Sequence, residues 1–247
     1  MTEAIVAGIT TTTMGREDLE DFVFAGVRGD RENTRPKLLY DINGHAISLF
    51  RSNREYRDAL KAADLVHADG QSVVLASRLL CARQIQERTP TTDMLLDYAA
   101  RAEKEGVSFF LLGGDEAINA ACAERLTQLY PKLKIAGRHH GYFSSNEEGC
   151  ILQKIQASGA DILWVGMGKP LEQVFGVRAR ELVSCSWIIT CGGCFNFATG
   201  KYRRAPLWMQ RWGLEWLHRM LSEPDKLLWR YLSTNPVATF WILKDSR

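Results

Sequence analysis

Short apolar runs alternate with segments of helical spacing through most of this chain, and that alternation constrains the fold more than any other feature. The runs read as strands are Lys37–Ile42, Asp64–His67, Ser108–Leu112, Lys134–Ala136, Asp161–Val165 and Trp187–Thr190. Between two of them, Ile118, Ala121, Cys122, Leu126 and Leu129 recur at three- and four-residue intervals behind Asp115, a favoured helix N-cap type. Ser144-Ser145-Asn146-Glu147 has the capping-box pattern and precedes Ile151, Leu152 and Ile155, which share one helical face. A further helix is expected over Gln71–Leu80. Strands that alternate with helices pair in parallel, because the intervening helix carries the chain back across the sheet and covers a face. The expected class is therefore α/β: a Rossmann-like, mostly parallel sheet with helices on both faces.

The last stretch is a different material. After Gly200 there are nine Lys and Arg against four Asp and Glu, a surplus of +5, while the first 200 residues carry −3. Five of the seven tryptophans (208, 212, 216, 229 and 241) also fall there. This divides the chain into a catalytic body, 1–200, and a basic, Trp-rich helical appendage, 201–247. No apolar run approaches the roughly 20 residues needed to span a bilayer. The N-terminus has neither the basic region nor the apolar stretch of a secretory signal, so a cytoplasmic protein is expected. In that compartment the six cysteines read as buried thiols. The single Cys191-Gly192-Gly193-Cys194 has no second ligand pair for zinc, and it follows a strand-like run instead of opening a helix as a redox motif would.

In such sheets ligands bind beyond the carboxyl ends of the strands. The loops there are Asn43-Gly44, Ala68-Asp69-Gly70, Gly113-Gly114-Asp115, His139-His140-Gly141-Tyr142-Phe143 and Gly166-Met167-Gly168-Lys169-Pro170. Gly166-x-Gly168 lets backbone approach a phosphate, but a dinucleotide fingerprint needs a third glycine where Leu171 stands. A tight strand-to-helix turn explains it equally well, and the same holds for Gly113-Gly114. Asp69 is placed to take a proton from an attacking hydroxyl; taken alone, it reads more simply as a cap for the helix beginning at Gln71. Arg88 and Asp93 flank a helix-opening segment. The paired histidines have no evident carboxylate partner for a metal, and His140 is read as a polar contact.

These loops occur in order with Phe110-Leu111-Leu112-Gly113-Gly114, Ser158-Gly159-Ala160-Asp161-Ile162-Leu163 and Arg204-Ala205-Pro206-x-Trp208-Met209-Gln210-Arg211. Gly213-Leu214-Glu215-Trp216-Leu217-x-Arg219-Met220-Leu221-x-Glu223-Pro224 closes the series. The ordered set resembles the WecG/TagA/CpsF glycosyltransferases from about Asp41 to about Pro236. The resemblance implies a UDP-sugar donor, a polyprenyl-diphosphate-linked acceptor of bacterial cell-surface polysaccharide synthesis, inverting transfer without metal or other cofactor, and a membrane-meeting appendage. It implies Asp69 as the base and matches Asn43 to an early-loop Asn and Arg88 and Asp93 to an E-R-x-x-x-x-D segment. Gly113, Gly114, His140, Tyr142, Gly166 and Gly168 are carried over as substrate-binding positions. The chain departs from the family pattern where G-x-P-K-Q-E reads Gly168-Lys169-Pro170-Leu171-Glu172-Gln173, where F-D-F reads Phe195-Asn196-Phe197, and at Asp41, where some members have Thr. Glu172, Gln173 and Asn196 are thereby expected at the donor or acceptor, and the departures leave hexose and N-acetylhexosamine transfer both open.

With no D-x-D motif, charge on the leaving diphosphate falls to arginines and helix N-termini. Arg203, Arg204, Arg211 and Arg219 are the candidates, for this diphosphate or the acceptor's; a solvated or lipid-facing basic surface is the plainer alternative. On a single helix Trp208, Trp212 and Trp216 share one face, with Arg211 and His218 on another, the layout of an interfacial helix on an anionic membrane surface. The expected location is the inner face of the cell membrane, peripherally, and a chain ending at Gly200 is expected to stay folded. Two other classes fit less well. A nucleotide-sugar dehydrogenase or epimerase needs the full glycine fingerprint. A nucleic-acid-binding module needs a broad basic face, which the acidic body lacks, so no nucleic acid partner is expected.

Overall fold

The computed structural model describes residues 2–27 and 35–247, with nothing described of the side chains of Arg211 and Lys226. Six strands form one parallel sheet: β3 (Lys37–Ile42), β4 (Leu65–Ala68), β5 (Ser108–Gly113), β6 (Lys134–His139), β7 (Ile162–Gly166) and β8 (Trp187–Thr190), in the order β4-β3-β8-β7-β5-β6. All six expected strands are present. Alternate residues feed two separate cores. Leu38, Tyr40, Ile42, Leu163, Val165 and Ile188 enter one, while Leu39, Ile162, Trp164, Trp187 and Ile189 enter the other. A sheet buried on both faces follows, as parallel pairing requires.

The first core is covered by α2 (Gly44–Ser52), α3 (Arg54–Lys61), α4 (Gln71–Leu80), α7 (Ser145–Ser158) and α8 (Leu171–Ala179). The second is covered by α1 (Arg16–Val27), α5 (Thr91–Glu105), α6 (Glu116–Leu129) and α9 (Cys194–Ala198). Asp115 caps α6 by accepting from the Ile118 N–H at 2.8 Å, and the Ser144 capping box opens α7, both as the sequence predicts. An antiparallel hairpin of β1 (Glu3–Val6) and β2 (Ile9–Thr12) precedes the sheet and was not anticipated. Four residues per strand leave little periodicity to read, and its Thr-rich second strand lacks an apolar run.

Two sequence expectations need correction. The tryptophan stretch is not one helix: α10 (Leu207–Arg211) ends before Gly213, whose φ of +71° breaks the spiral, and α11 (Glu215–Ser222) restarts after it. Trp208, Trp212 and Trp216 therefore do not share one helical face, although all three are exposed. Cys150 is also exposed and Cys81 half-buried, while Cys122, Cys185, Cys191 and Cys194 are buried and all six thiols are free. Cys194 opens the short α9 after all, because Gly192, at φ +54°, turns the chain out of β8 immediately beforehand.

The chain ends in α12 (Pro224–Asp245), a 22-residue helix laid across α2. Ala238 is buried in the first core with Trp241 and Ile242 packed against it. Arg51 of α2 pairs with Asp245 and lies 3.9 Å from the centre of the Trp241 ring. Arg247 and Ile5 exchange both backbone hydrogen bonds, at 2.9 and 3.2 Å. The segment after Gly200 is thus fastened to the body at its far end as well as its near one. No helix among the described residues is long and apolar enough to cross a membrane.

Candidate active site

A cavity of about 640 Å³ opens at the carboxyl ends of β3, β4, β7 and β8, roofed by α11 and α12. Asp69, one residue past β4, lies on its lining. Its carboxylate does not cap α4, whose N-cap is Gly70 with no side-chain bond. Instead Oδ2 accepts from Asn43 Nδ2 at 3.1 Å, and Oδ1 accepts from the Thr91 N–H at 3.2 Å, at the first turn of α5. Asn43 is itself fixed, because its Oδ1 caps α2 by accepting from the Ala46 N–H at 3.1 Å. The amide that a helix cap demands thereby orients the carboxylate. Burial works against ionising Asp69, but the Lys169 and Arg88 charges and the Asn43 bond prevail and hold it below the usual carboxylate range. At neutral pH it is an ionised, oriented acceptor.

Beside it lies a second charged group. Lys169 Nζ donates to Asp41 Oδ2 at 2.6 Å and stands 3.9 Å from Glu172 Oε1, with all three side chains at most 8% exposed. Burial opposes the Lys169 ammonium, yet the Asp41 and Glu172 carboxylates raise its pKa above the ordinary lysine value, so it stays charged. Glu172 accepts from the Gly168 N–H at 2.9 Å and the Gly192 N–H at 3.0 Å, tying the β7 loop to the β8 loop under the cavity floor. Burial pushes its carboxyl up to about 7 despite the Lys169 charge. His45, also lining the cavity, is driven down to about 4 by burial and by Arg230 and Lys169, so its imidazole is neutral.

The raised Glu172 value has a consequence for stability. An unfolded chain loses this proton near 4.5, whereas the folded one keeps it to about 7. The contribution is complete below the lower value and declines as pH rises to the upper one. Thermal melts of Glu172→Gln should therefore lack a wild-type decline on the order of 3 kcal/mol across that window. Equal slopes in the two proteins would assign the titration to another group.

The expected residues are distributed unequally. Asn43, Asp69, Arg88, Gly168 and Arg219 line the cavity. Asp93 lies behind it, paired with Arg16 at 3.3 Å and with Arg204. Arg204 is spent on structure: it reaches Thr92, Asp93, Gln210 at 2.9 Å and Glu215 at 3.0 Å. Glu215 also accepts from Arg88 at 2.7 Å, so the appendage holds a cavity cation in place. Arg203 is exposed and outside the lining, and the side chain of Arg211 lies outside what the structure describes. Glu172 and Gln173 sit beneath the floor, Gln173 donating to Glu172 Oε1 at 3.1 Å and to Thr190 at 3.3 Å.

Gly113, Gly114, Gly166, His140, Tyr142 and Asn196 are not on this lining. A Cβ on Gly113 would stand 2.3 Å from the Gly166 carbonyl oxygen, and the Gly114 N–H donates to that oxygen at 3.0 Å. Those glycines let the β5 and β7 loops pack together. His140 and Tyr142 follow β6 at the sheet edge opposite β4, with Tyr142 79% exposed. Sequence reasoning missed Lys169, His45, Arg230 and Asn235 as lining residues. Lys169 had a signal, a basic residue inside the glycine loop. Arg230 and Asn235 had none, because nothing local shows that α12 folds back over the sheet.

Among the described residues no three His, Cys, Asp or Glu side chains are grouped as metal ligands usually are. A parallel sheet whose strand ends carry an oriented, ionised carboxylate, with cations on the walls of a large open cavity, defines an α/β enzyme of the group-transfer kind. The sequence model of the glycosyl transferase WecG/TagA/CpsF family matches residues 6–247, and the chain belongs to that family of glycosyltransferases. The match takes in β2, only the last residue of β1, and all of α12.

Proposed function

We propose that the protein transfers a sugar, with inversion and without a metal, from a UDP-sugar to a polyprenyl-diphosphate-linked acceptor at a membrane surface. The observation that carries the reading is the position of Asp69: ionised, held by Asn43 and Thr91, and on the lining of a cavity that body and appendage build together. The acceptor hydroxyl oxygen attacks the anomeric carbon, and its proton passes to Asp69. The bond from that carbon to the diphosphate breaks on the opposite side, with its electron pair leaving on UDP. Its lowered pKa keeps the Asp69 carboxylate ionised at neutral pH, free to accept that proton as the new bond forms. Arg219 and Arg230 on the cavity wall supply charge for a diphosphate.

The membrane part rests on the appendage. Eleven of the eighteen exposed large apolar side chains among the described residues lie after Gly200, including Trp212 at 76% and Trp229 at 79%. Leu75 and Leu79 of α4 are exposed too, on a helix that touches α12. Apolar exposure of this extent beside a basic surplus matches an interfacial surface. Incubation with radiolabelled UDP-sugars and bacterial lipid extract should move label into the lipid phase, and transfer should survive EDTA. Loss of transfer on chelation, restored by magnesium or manganese, would move diphosphate stabilisation from these arginines to a metal.

A further inference from the structure

The cations of the cavity are of two kinds. Arg88 is paired with Glu215, and Lys169 with Asp41. Arg219 and Arg230 also line the cavity, yet neither has an ion pair or a hydrogen bond among the described residues. Arg230 Nε is buried, but the terminal nitrogens of both guanidinium groups keep accessible surface. An arginine placed so, with no carboxylate of its own, is open to an anion brought by a ligand. The proposed reaction brings two, the diphosphate of the nucleotide donor and that of the lipid-linked acceptor. The surroundings of the arginines differ. Arg219 of α11 faces the body, its guanidinium carbon 5.2 Å from the centre of the Phe197 ring and 5.8 Å from that of Tyr202. Phe197 lines the cavity from α9, just past β8. An aromatic face beside a guanidinium suits a nucleobase and the phosphates attached to it. Arg230 of α12 lies on the α2 side, where it helps to keep the His45 imidazole neutral. Asn235, further along α12, rests on Gly44, at which an added Cβ would stand 3.5 Å from its Oδ1. The side chains of His45 and Asn235 line the cavity too, likewise without a partner among the described residues.

We infer that Arg230, with His45 and Asn235, holds the diphosphate of the lipid-linked acceptor, and that Arg219, beside Phe197, holds the diphosphate of the nucleotide donor. The inference rests on the transferase reading above. A diphosphate tied to a polyprenyl chain stays at the bilayer surface, so its cation belongs on the helix that presents an apolar face. That helix is α12: Trp229, Leu232, Phe240 and Leu243 are exposed along it, and residues 231–243 contain no charge. The direction of displacement agrees. His45 and Asn235 lie against the first turn of α2, which Asn43 caps while holding Asp69. An acceptor anchored there brings its hydroxyl in on the side of the base. Phe197, with Arg219 against it, lies past β8, beyond β3 from the base in the order β4-β3-β8. The new bond joins the acceptor oxygen to the anomeric carbon, and the proton goes to Asp69. The bond to the donor diphosphate breaks on the far side, and Arg219 meets the charge that its electron pair leaves on UDP.

The test is calorimetry on the full chain with two soluble probes, UDP for the donor and farnesyl diphosphate for the acceptor. The wild type should bind both at once. Arg219→Gln should weaken UDP about tenfold and farnesyl diphosphate less than about twofold, because a charge-assisted contact is lost at one subsite only. Arg230→Gln should do the reverse. Asn235→Ala serves if Arg230→Gln melts early, and should weaken farnesyl diphosphate alone. In transfer assays Arg230→Gln should raise KM for the lipid-linked acceptor, and Arg219→Gln that for the UDP-sugar. Displacement of UDP by farnesyl diphosphate would overturn the inference. So would an Arg230→Gln variant that loses UDP as much as farnesyl diphosphate, or one that binds both as the wild type does. Those results leave the transferase reading standing, whereas failure of UDP to bind at all would remove both.

Discussion

Asp69→Asn should lower turnover by roughly 100-fold or more while leaving the fold and UDP affinity intact. The change is nearly isosteric, and the Thr91 N–H can still donate to the amide oxygen at Oδ1. At Oδ2, the new amide and the Asn43 Nδ2 that now donates there would both be donors, so a small rearrangement of the Asn43 side chain is expected. What is lost is the proton acceptor. The wild-type rate should also fall on the acid side only below the usual carboxylate range, because Lys169 and Arg88 hold the group ionised. A variant with near-normal kcat would return Asp69 to a structural role, that of joining the first turns of α2 and α5 through its two hydrogen bonds.

A chain ending at Gly200 should lose transfer to lipid-linked acceptor and stop pelleting with anionic vesicles. The cavity loses its roof, and Arg88 loses Glu215 and becomes an unpaired cation next to the base. The structure adds a stability cost. Removing α12 uncovers α2 and the first core, strips Asp245 and the Trp241 ring from Arg51, and unpairs Ile5 from Arg247. Leu227, Ala238, Trp241 and Ile242 together bury enough apolar surface for a loss on the order of 5 kcal/mol. In a chain of this size that lowers the melting temperature by roughly 10–20 °C. The second core, on the other face of the sheet, has no α12 residue, so cooperative melting should persist. Trp212→Ser with Trp229→Ser separates membrane contact from the fold, since both rings are more than 70% exposed. That double variant should melt like the wild type, yet release from vesicles at lower salt. Full activity of the shortened chain on lipid-linked acceptor would make the appendage dispensable.

The sequence by itself determined the sheet, because each strand carries its own pattern. Continuous apolar runs such as Ile162–Val165 bury both faces, and caps such as Asp115 and Ser144 act within three residues, so the information is local. Asp69 was legible as a candidate for the same reason, a carboxylate directly after a strand. Its contacts with Asn43 and Thr91 were not, since they depend on how separate loops converge. Glu172 and Gln173 read as pocket residues through the family pattern that the chain departs from there, but the turn into α8 directs both beneath the floor. Only the tertiary structure showed that α12 returns over α2 and α4 and brings Arg230 and Asn235 to the site. It also decided that Arg204 is a strut, and that Asp41 and Lys169, 128 positions apart, form one buried pair. Charge pairing at such separation leaves no periodic trace, because it is set by the order in which parallel strands are laid down and not by the residues around each partner.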